Sequence, residues 1–162
     1  SSIGDNRGIK LEPGIVRGFD ARSGEEIWRF DPIPRTIDDP EFSGWIPTQA
    51  PQSGARNAWA PIAGNTELGL IYVPTGSVSP DLYGGERKAD NRDANSLVAL
   101  NAQTGEIAWP QQVVHYDVWD YDLPEQPTLV ELKPDCVIMT AVIHRWIDNG
   151  HGSAEIHSSS HG

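Results

Sequence analysis

Val98-Ala99-Leu100-Asn101-Ala102-Gln103-Thr104-Gly105-Glu106-Ile107-Ala108-Trp109 decides how this chain is read, because the pattern occurs twice. Its earlier copy is Arg17-Gly18-Phe19-Asp20-Ala21-Arg22-Ser23-Gly24-Glu25-Glu26-Ile27-Trp28. Asp20, Gly24 and Trp28 each stand 81 positions ahead of Asn101, Gly105 and Trp109. Each copy reads as a strand, a tight turn and a returning strand. Asp or Asn leads into the turn, Ser-Gly or Thr-Gly supplies the positive-φ position, and Ile then Trp alternate on the way back. Identical spacing within both copies marks a structural repeat.

Working outward, two more strand candidates lie between the copies. One surrounds Trp59 in Asn57-Ala58-Trp59-Ala60-Pro61-Ile62, and the other is the apolar, β-branched run Leu68–Val73. With 96–101 and 106–112 they make four strands over residues 57–113. Inserts rich in Pro, Gly and Asp occupy 32–56 and 77–95. No stretch sustains a 3.6-residue period, so the expected class is all-β. Four antiparallel strands ending in a Gly-Trp hairpin make one blade of a β-propeller. The repeat spacing then predicts the end of one blade over 12–31, a complete blade over 57–113 and the start of the next over 114–132. Blades bury their faces against neighbours, so this chain alone would leave two apolar faces open.

Composition narrows the function. Twelve Lys and Arg against twenty-three Asp and Glu give a net charge of -11 over 162 residues. A chain that acidic repels phosphate backbones, which argues against nucleic acid as a partner. The single Cys136 closes no intrachain disulfide and removes any Cys-based zinc site. The longest apolar run, Cys136 to Ile143, is far too short to span a bilayer. The chain begins at Ser1, and its one methionine is Met139, which reads as an excerpt or processed product of something longer.

The signature Asp-x-x-Ser/Thr-Gly-x-x-x-Trp resembles the tryptophan-docking motif of the quinoprotein dehydrogenases, propellers that carry pyrroloquinoline quinone (PQQ). Val114-His115-Tyr116-Asp117-Val118-Trp119-Asp120-Tyr121-Asp122-Leu123-Pro124-Glu125-Gln126-Pro127-Thr128-Leu129 is similar to a stretch of the membrane-bound glucose and quinate dehydrogenases. Asn57–Pro61, Tyr72–Gly76 and Pro80–Arg87 match the same subgroup in order and spacing. The resemblance covers residues 1 to about 134. It implies a fragment of an eight-bladed propeller, with about two to three blades present. It also implies PQQ with Ca²⁺ or Mg²⁺, a sugar or polyol substrate, and electrons passed to membrane quinone at the periplasmic face of the bacterial inner membrane.

The resemblance carries over to individual residues. The aspartate after the tryptophan of the Trp-Asp pair, Asp120, takes the place of the catalytic base. A carboxylate can accept the hydroxyl proton of an alcohol and can also face a hard cation. Trp59 stands where the family stacks an indole on the PQQ ring, a task for a flat, rigid, apolar side chain. Asp5 and Asn6 resemble a metal-binding pair, and Ser77 stands where many relatives place asparagine, offering only a hydroxyl. Trp28, Trp109, Trp45 and Trp119 are assigned to packing.

After Asp135 the resemblance fails. The family's PQQ-binding lysine lies 27 residues beyond the base, where this chain has Ile147, and no lysine follows Lys133. Residues 135–162 are therefore expected to be a divergent, poorly ordered tail, ending in a stretch with His151, His157 and His161 of the kind a frame disruption or truncated gene product would leave. Two other functions stand beside the dehydrogenase: a non-catalytic propeller scaffold of the bacterial envelope, and an inactive truncated remnant of the enzyme. A scaffold has no need of Trp59 and Asp120 together with the Pro80–Arg87 insert, which favours the enzyme. Composition does not separate the enzyme from its remnant.

Overall fold

A computed structural model describes residues 13–36, 38, 39, 42, 45, 58–130 and 139–141. Eight strands follow one another: β1 (Val16–Phe19), β2 (Glu26–Phe30), β3 (Ala63–Asn65), β4 (Leu70–Pro74), β5 (Ser96–Asn101), β6 (Ile107–Gln112), β7 (Thr128–Val130) and β8 (Met139–Ala141). No α-helix occurs among the described residues. The strands form three antiparallel meanders, β1-β2, β3-β4-β5-β6 and β7-β8, the middle one a complete four-stranded blade.

The two repeat copies fold alike, bond for bond. In the first turn Asp20 Oδ1 accepts from the amides of Arg22 and Ser23 at 2.8 and 2.7 Å, and Gly24 N donates back to Asp20 O at 2.8 Å. In the second, Asn101 Oδ1 accepts from Gln103 and Thr104 at 2.8 and 3.1 Å, and Gly105 N donates to Asn101 O at 2.8 Å. Gly24 and Gly105 take φ of 75° and 73°, a region where a side chain is strained. A third version joins β3 to β4. Asn65 Oδ1 accepts from Glu67 and Leu68, and Gly69 has φ 63°. Each turn begins with Asp or Asn four residues before its glycine, so one local chemistry builds three hairpins.

Both faces of the blade are covered, and this is why its central strand β5 alternates nothing: Ser96 to Leu100 are all buried. One face presents Val73, Val98 and Leu100, which pack with Ala58 on Val16 and Phe30 of the β1-β2 sheet, flanked by Trp28, Ile71 and Ile107. The other face presents Tyr72, Leu97 and Ala99, which meet Leu70 and Leu129 of β7. Fully burying an aliphatic or Phe side chain stabilises by about 1.5–3 kcal/mol, so these shared faces join the sheets. The join is sharpened at Trp28. Its Nε1 donates to Ala102 O at 3.0 Å, and its ring lies against Gly105. The tryptophan of one repeat thus docks on the turn of the next. Trp109, its counterpart, lies on β6 with its ring centroid 5.9 Å from that of Tyr72.

Three expectations change. The first strand of the complete blade is Ala63–Asn65, not a strand around Trp59. Pro61 has no amide to donate, and pairing begins only where Ala63 meets Tyr72, next to the turn that sets the register. Met139–Ala141 forms a strand paired with Thr128–Val130, inside the segment expected to be a divergent tail. Residues 139–141 alone of that segment are described, and they pair as a strand. Trp119, assigned to packing, is instead 72% exposed. Asp5, Asn6, Ile147 and the histidines of 151–161 lie outside the described residues.

Candidate functional site

Strand direction alone gathers the site. Successive strands of the meander run opposite ways, so the start of β3, the end of β4, the start of β5 and the end of β6 share one rim. Trp59 leads into β3, Ser77 follows β4, Asn95 precedes β5, and the segment 113–127 leaves β6. Residues as far apart as Trp59 and Asp122, 63 positions, therefore meet at one end of the blade.

Two aspartates organise the rim. Asp122 Oδ2 accepts from Trp59 Nε1 at 2.7 Å, while its Oδ1 accepts from the amide of Ser77 at 2.6 Å. One carboxylate thus ties the indole to the chain leaving β4. Asp117, 3% exposed, accepts on Oδ1 from Trp119 N at 2.9 Å and on Oδ2 from Tyr121 N at 2.7 Å. Oδ2 also accepts from Asn95 Nδ2 at 3.1 Å and from the Ser77 hydroxyl. Asn95 Nδ2 further donates to Ser77 Oγ at 3.0 Å and to Tyr121 O at 2.8 Å. Behind this hub lies the buried Arg87. Its guanidinium donates to Pro80 O, Asn91 Oδ1, Asp81 O and Asp117 O, and sits 5.6 Å from the Tyr116 ring centroid. Burial holds the Arg87 pKa below its usual value, against the opposing pull of Asp117, Tyr116 and Asp81.

Asp120 lies between the two engaged aspartates and differs from both. Its backbone has φ 60°, and no donor among the described residues reaches its carboxylate. Burial, and then the charges of Asp122 and Asp117, raise its pKa above the usual aspartate value. An exposed carboxylate that meets no donor among the described residues, and whose basicity is raised, is suited to accept a proton from a bound hydroxyl.

Of the residues singled out in the sequence, Trp59 and Ser77 are joined through Asp122, and Asp120 lies within two positions of that link. Trp59 is 41% exposed with one ring edge held, so a face of the indole is available to a planar ligand. The Ser77 hydroxyl is turned into the blade, donating to Asp117 and accepting from Asn95. Among the described residues no group of three or more His, Cys, Asp or Glu is arranged to hold a metal ion. The hub residues Asp117, Asp122, Asn95 and Arg87 carried no role in the sequence reading. The spacing Asp117-x-x-Asp120-x-Asp122 was the available signal, but it does not say which carboxylate is left open.

Comparison with known proteins follows the same lines. A family profile described as glucose/ethanol/alcohol dehydrogenase, beta-propeller domain, PQQ, matches residues 1–145. The chain is 42% identical over 135 residues to the quinoprotein glucose dehydrogenase of Escherichia coli K12, covering 81% of this chain and 16% of that protein. It is 35% identical over 148 residues to the quinate/shikimate dehydrogenase (quinone) of Acinetobacter baylyi, covering 86% of this chain and 18% of the relative. The solved structure of quinohemoprotein alcohol dehydrogenase ADHIIG from Pseudomonas putida HK5 superposes with a TM-score of 0.69 at 30% identity, over 82% of this chain and 21% of that one. The chain thus spans about one sixth to one fifth of the length of these relatives.

Proposed function

The chain belongs to the PQQ-dependent glucose/ethanol/alcohol dehydrogenase β-propeller family, and from that membership we propose that it is part of a dehydrogenase oxidising an alcohol group of a sugar or cyclic polyol. The observation that carries this is the rim itself: an indole anchored by Asp122 beside an aspartate, Asp120, that is open and of raised basicity. A scaffold needs neither.

Bound PQQ supplies the two-electron acceptor. Trp59 offers it a flat apolar face, with the Asp122 bond at Nε1 fixing the ring's angle. Asp120 takes the substrate hydroxyl proton on its carboxylate as general base. The open carboxylate of Asp120 is also a hard-oxygen donor suited to Ca²⁺ or Mg²⁺, to which Asp5 and Asn6 are proposed to contribute. The Ser77 hydroxyl has both its bonds inside the blade, so its part is to order the rim rather than to offer a free ligand. Electron transfer to membrane quinone at the periplasmic face of the inner membrane completes the proposal. No helix among the described residues is long and apolar enough to cross a membrane.

The test is a graft in which residues 58–130 replace the aligned segment of the Escherichia coli glucose dehydrogenase, loaded with PQQ and Ca²⁺ or Mg²⁺. Dye-linked glucose oxidation is expected, and Asp120→Asn is expected to lower kcat by roughly 10²–10⁴-fold. A graft that binds PQQ but turns over equally well with Asp120→Asn refutes the assignment. A graft that binds PQQ and never turns over refutes the reading of Trp59 and Asp120 as a working site; extending the graft through residue 147, which sets Ile147 at the family's lysine position, tests the inactive remnant, expected to bind PQQ weakly and not turn over.

A further inference from the structure

We propose that Asp117 is a positioning residue whose carboxylate clamps the loop carrying Asp120 and holds that side chain open to substrate, a role that rests on Asp120 being the base. The reasoning starts from the backbone. Asp120 is a non-glycine residue at φ 60°, a conformation that costs about 1–2 kcal/mol and persists only where the surroundings over-determine it. The over-determination is visible on both sides of it. The amide of Trp119 is held by Asp117 Oδ1, and the amide of Tyr121 by Asp117 Oδ2. One carboxylate therefore fixes peptide groups on both sides of Asp120.

The clamp cannot easily swing, because other groups hold it. Ser77 Oγ and Asn95 Nδ2 donate to Asp117 Oδ2. Asn95 also donates to Tyr121 O, so Tyr121 is pinned at its carbonyl as well as its amide. Arg87 donates to the carbonyl of Asp117 itself, placing a buried cation behind the buried carboxylate. These partners span the 77–95 insert: Ser77 just after β4, Asn95 just before β5, and Arg87 between them. The insert thus gains a purpose beyond covering the blade, since its Arg87 braces the residue that braces the base.

The same bonds exclude a different role for Asp117. It is 3% exposed and accepts from four donors, so it has no open oxygen to present to an alcohol. Asp122 is likewise occupied by Trp59 and Ser77. Of the three carboxylates only Asp120 meets no donor among the described residues, and it stays open because the loop is held by its neighbours. A misplacement of about 1 Å can cost a hundredfold in rate, so a clamp of this kind acts on turnover without touching substrate.

Two readouts test the proposal. In the PQQ-loaded graft, amide hydrogen exchange at Trp119 and Tyr121 is expected to be about tenfold or more faster with Asp117→Asn, which places an amide donor against one of the two held N–H groups, while exchange in β5 stays unchanged. In the PQQ-loaded graft, Asp117→Asn is expected to lower kcat by roughly 10- to 100-fold with KM changed less than about threefold. Asn95→Asp, which replaces the donor to Tyr121 O and sets a second carboxylate against Asp117, should show the same split in kcat and KM. Unchanged exchange and unchanged kcat in the Asp117 variant overturn the proposal. So does faster exchange throughout β5, because Asp117 would then hold the blade and not the loop. If Asp120→Asn keeps full turnover, the base assignment fails instead, and the exchange result still decides whether the clamp exists.

Discussion

Replacing Gly105 by alanine strikes the contact on which the two sheets dock. The new methyl would lie 2.6 Å from Trp28 Cε3, 2.7 Å from Cδ2 and 3.0 Å from Cγ. Trp28 cannot readily yield, because its Nε1 is bonded to Ala102 O and its ring packs on the core of Val16, Phe30, Val73 and Leu100. Overpacking of this kind costs about 1–3 kcal/mol. Holding an alanine at the φ of 73° costs a further 1–2 kcal/mol, roughly. Gly24 separates the two contributions. It has φ 75° in the matching turn, but nothing lies within 4 Å of the position its Cβ would take. Gly24→Ala should therefore lose roughly 1–2 kcal/mol and Gly105→Ala roughly 2–5 kcal/mol. Gly69→Ala, with φ 63° and equally open space, serves as a second reference. Urea unfolding followed by far-ultraviolet circular dichroism measures all three. A Gly105→Ala loss within about 0.5 kcal/mol of the Gly24→Ala loss would mean that Trp28 does not dock on this turn, and the propeller packing of the sheets would fall with it.

Asp122→Ala should release the indole of Trp59, seen as a shift of its Nε1–H resonance toward that of free indole and a loss of roughly tenfold or more in PQQ affinity of the graft; an unmoved resonance contradicts the bond. Because burial and the charges of Asp122 and Asp117 raise the Asp120 pKa, its carboxyl should titrate above the 3.8 of an ordinary aspartate in the metal-free protein, read from its side-chain carbon resonance. Asp122→Asn, which removes one repelling charge, should move that titration to lower pH, and a midpoint that stays or rises refutes the electrostatic account. For stability the sign is opposite to that of a salt-bridged acid. The folded chain holds this proton more tightly than the unfolded one, so the favourable contribution is present below pH 3.8 and lost as pH rises through the raised pKa. Asp120→Asn should accordingly not lower the urea midpoint at pH 7, and a clear drop would count against it. The isolated 162-residue chain with PQQ and Ca²⁺ should not oxidise glucose, since the match covers only 16% of the glucose dehydrogenase it resembles; turnover abolished by Asp120→Asn would show that it assembles a site by itself.

Much of this molecule is legible residue by residue because its determinants are local. An Asp or Asn four positions ahead of a glycine builds its turn from amides two and three residues away, so two of the three hairpins could be read from the repeat, and the third, at Asn65–Gly69, obeys the same rule without the tryptophan that drew attention to the others. The all-β class and the family follow from that pattern and from the segment around Trp119-Asp120. The limits of strands were less legible. Where β3 begins depends on the register against β4, and β8 needs a partner, β7, to exist at all. Trp28 and Trp119 look alike as tryptophans in the chain, yet one docks on Gly105 and the other is exposed, because among the described residues only Trp28 has a neighbouring sheet's turn against it. The site divides the same way. Asp120 and Trp59 could be picked out by motif, but the partner of Trp59 stands 63 residues away and that of Ser77 stands 45 away. Three aspartates within six residues carry the same side chain and the same reference pKa. Which one is left open is settled by donors that Trp59, Ser77 and Asn95 bring to the other two, and those meet only when the sheet has formed.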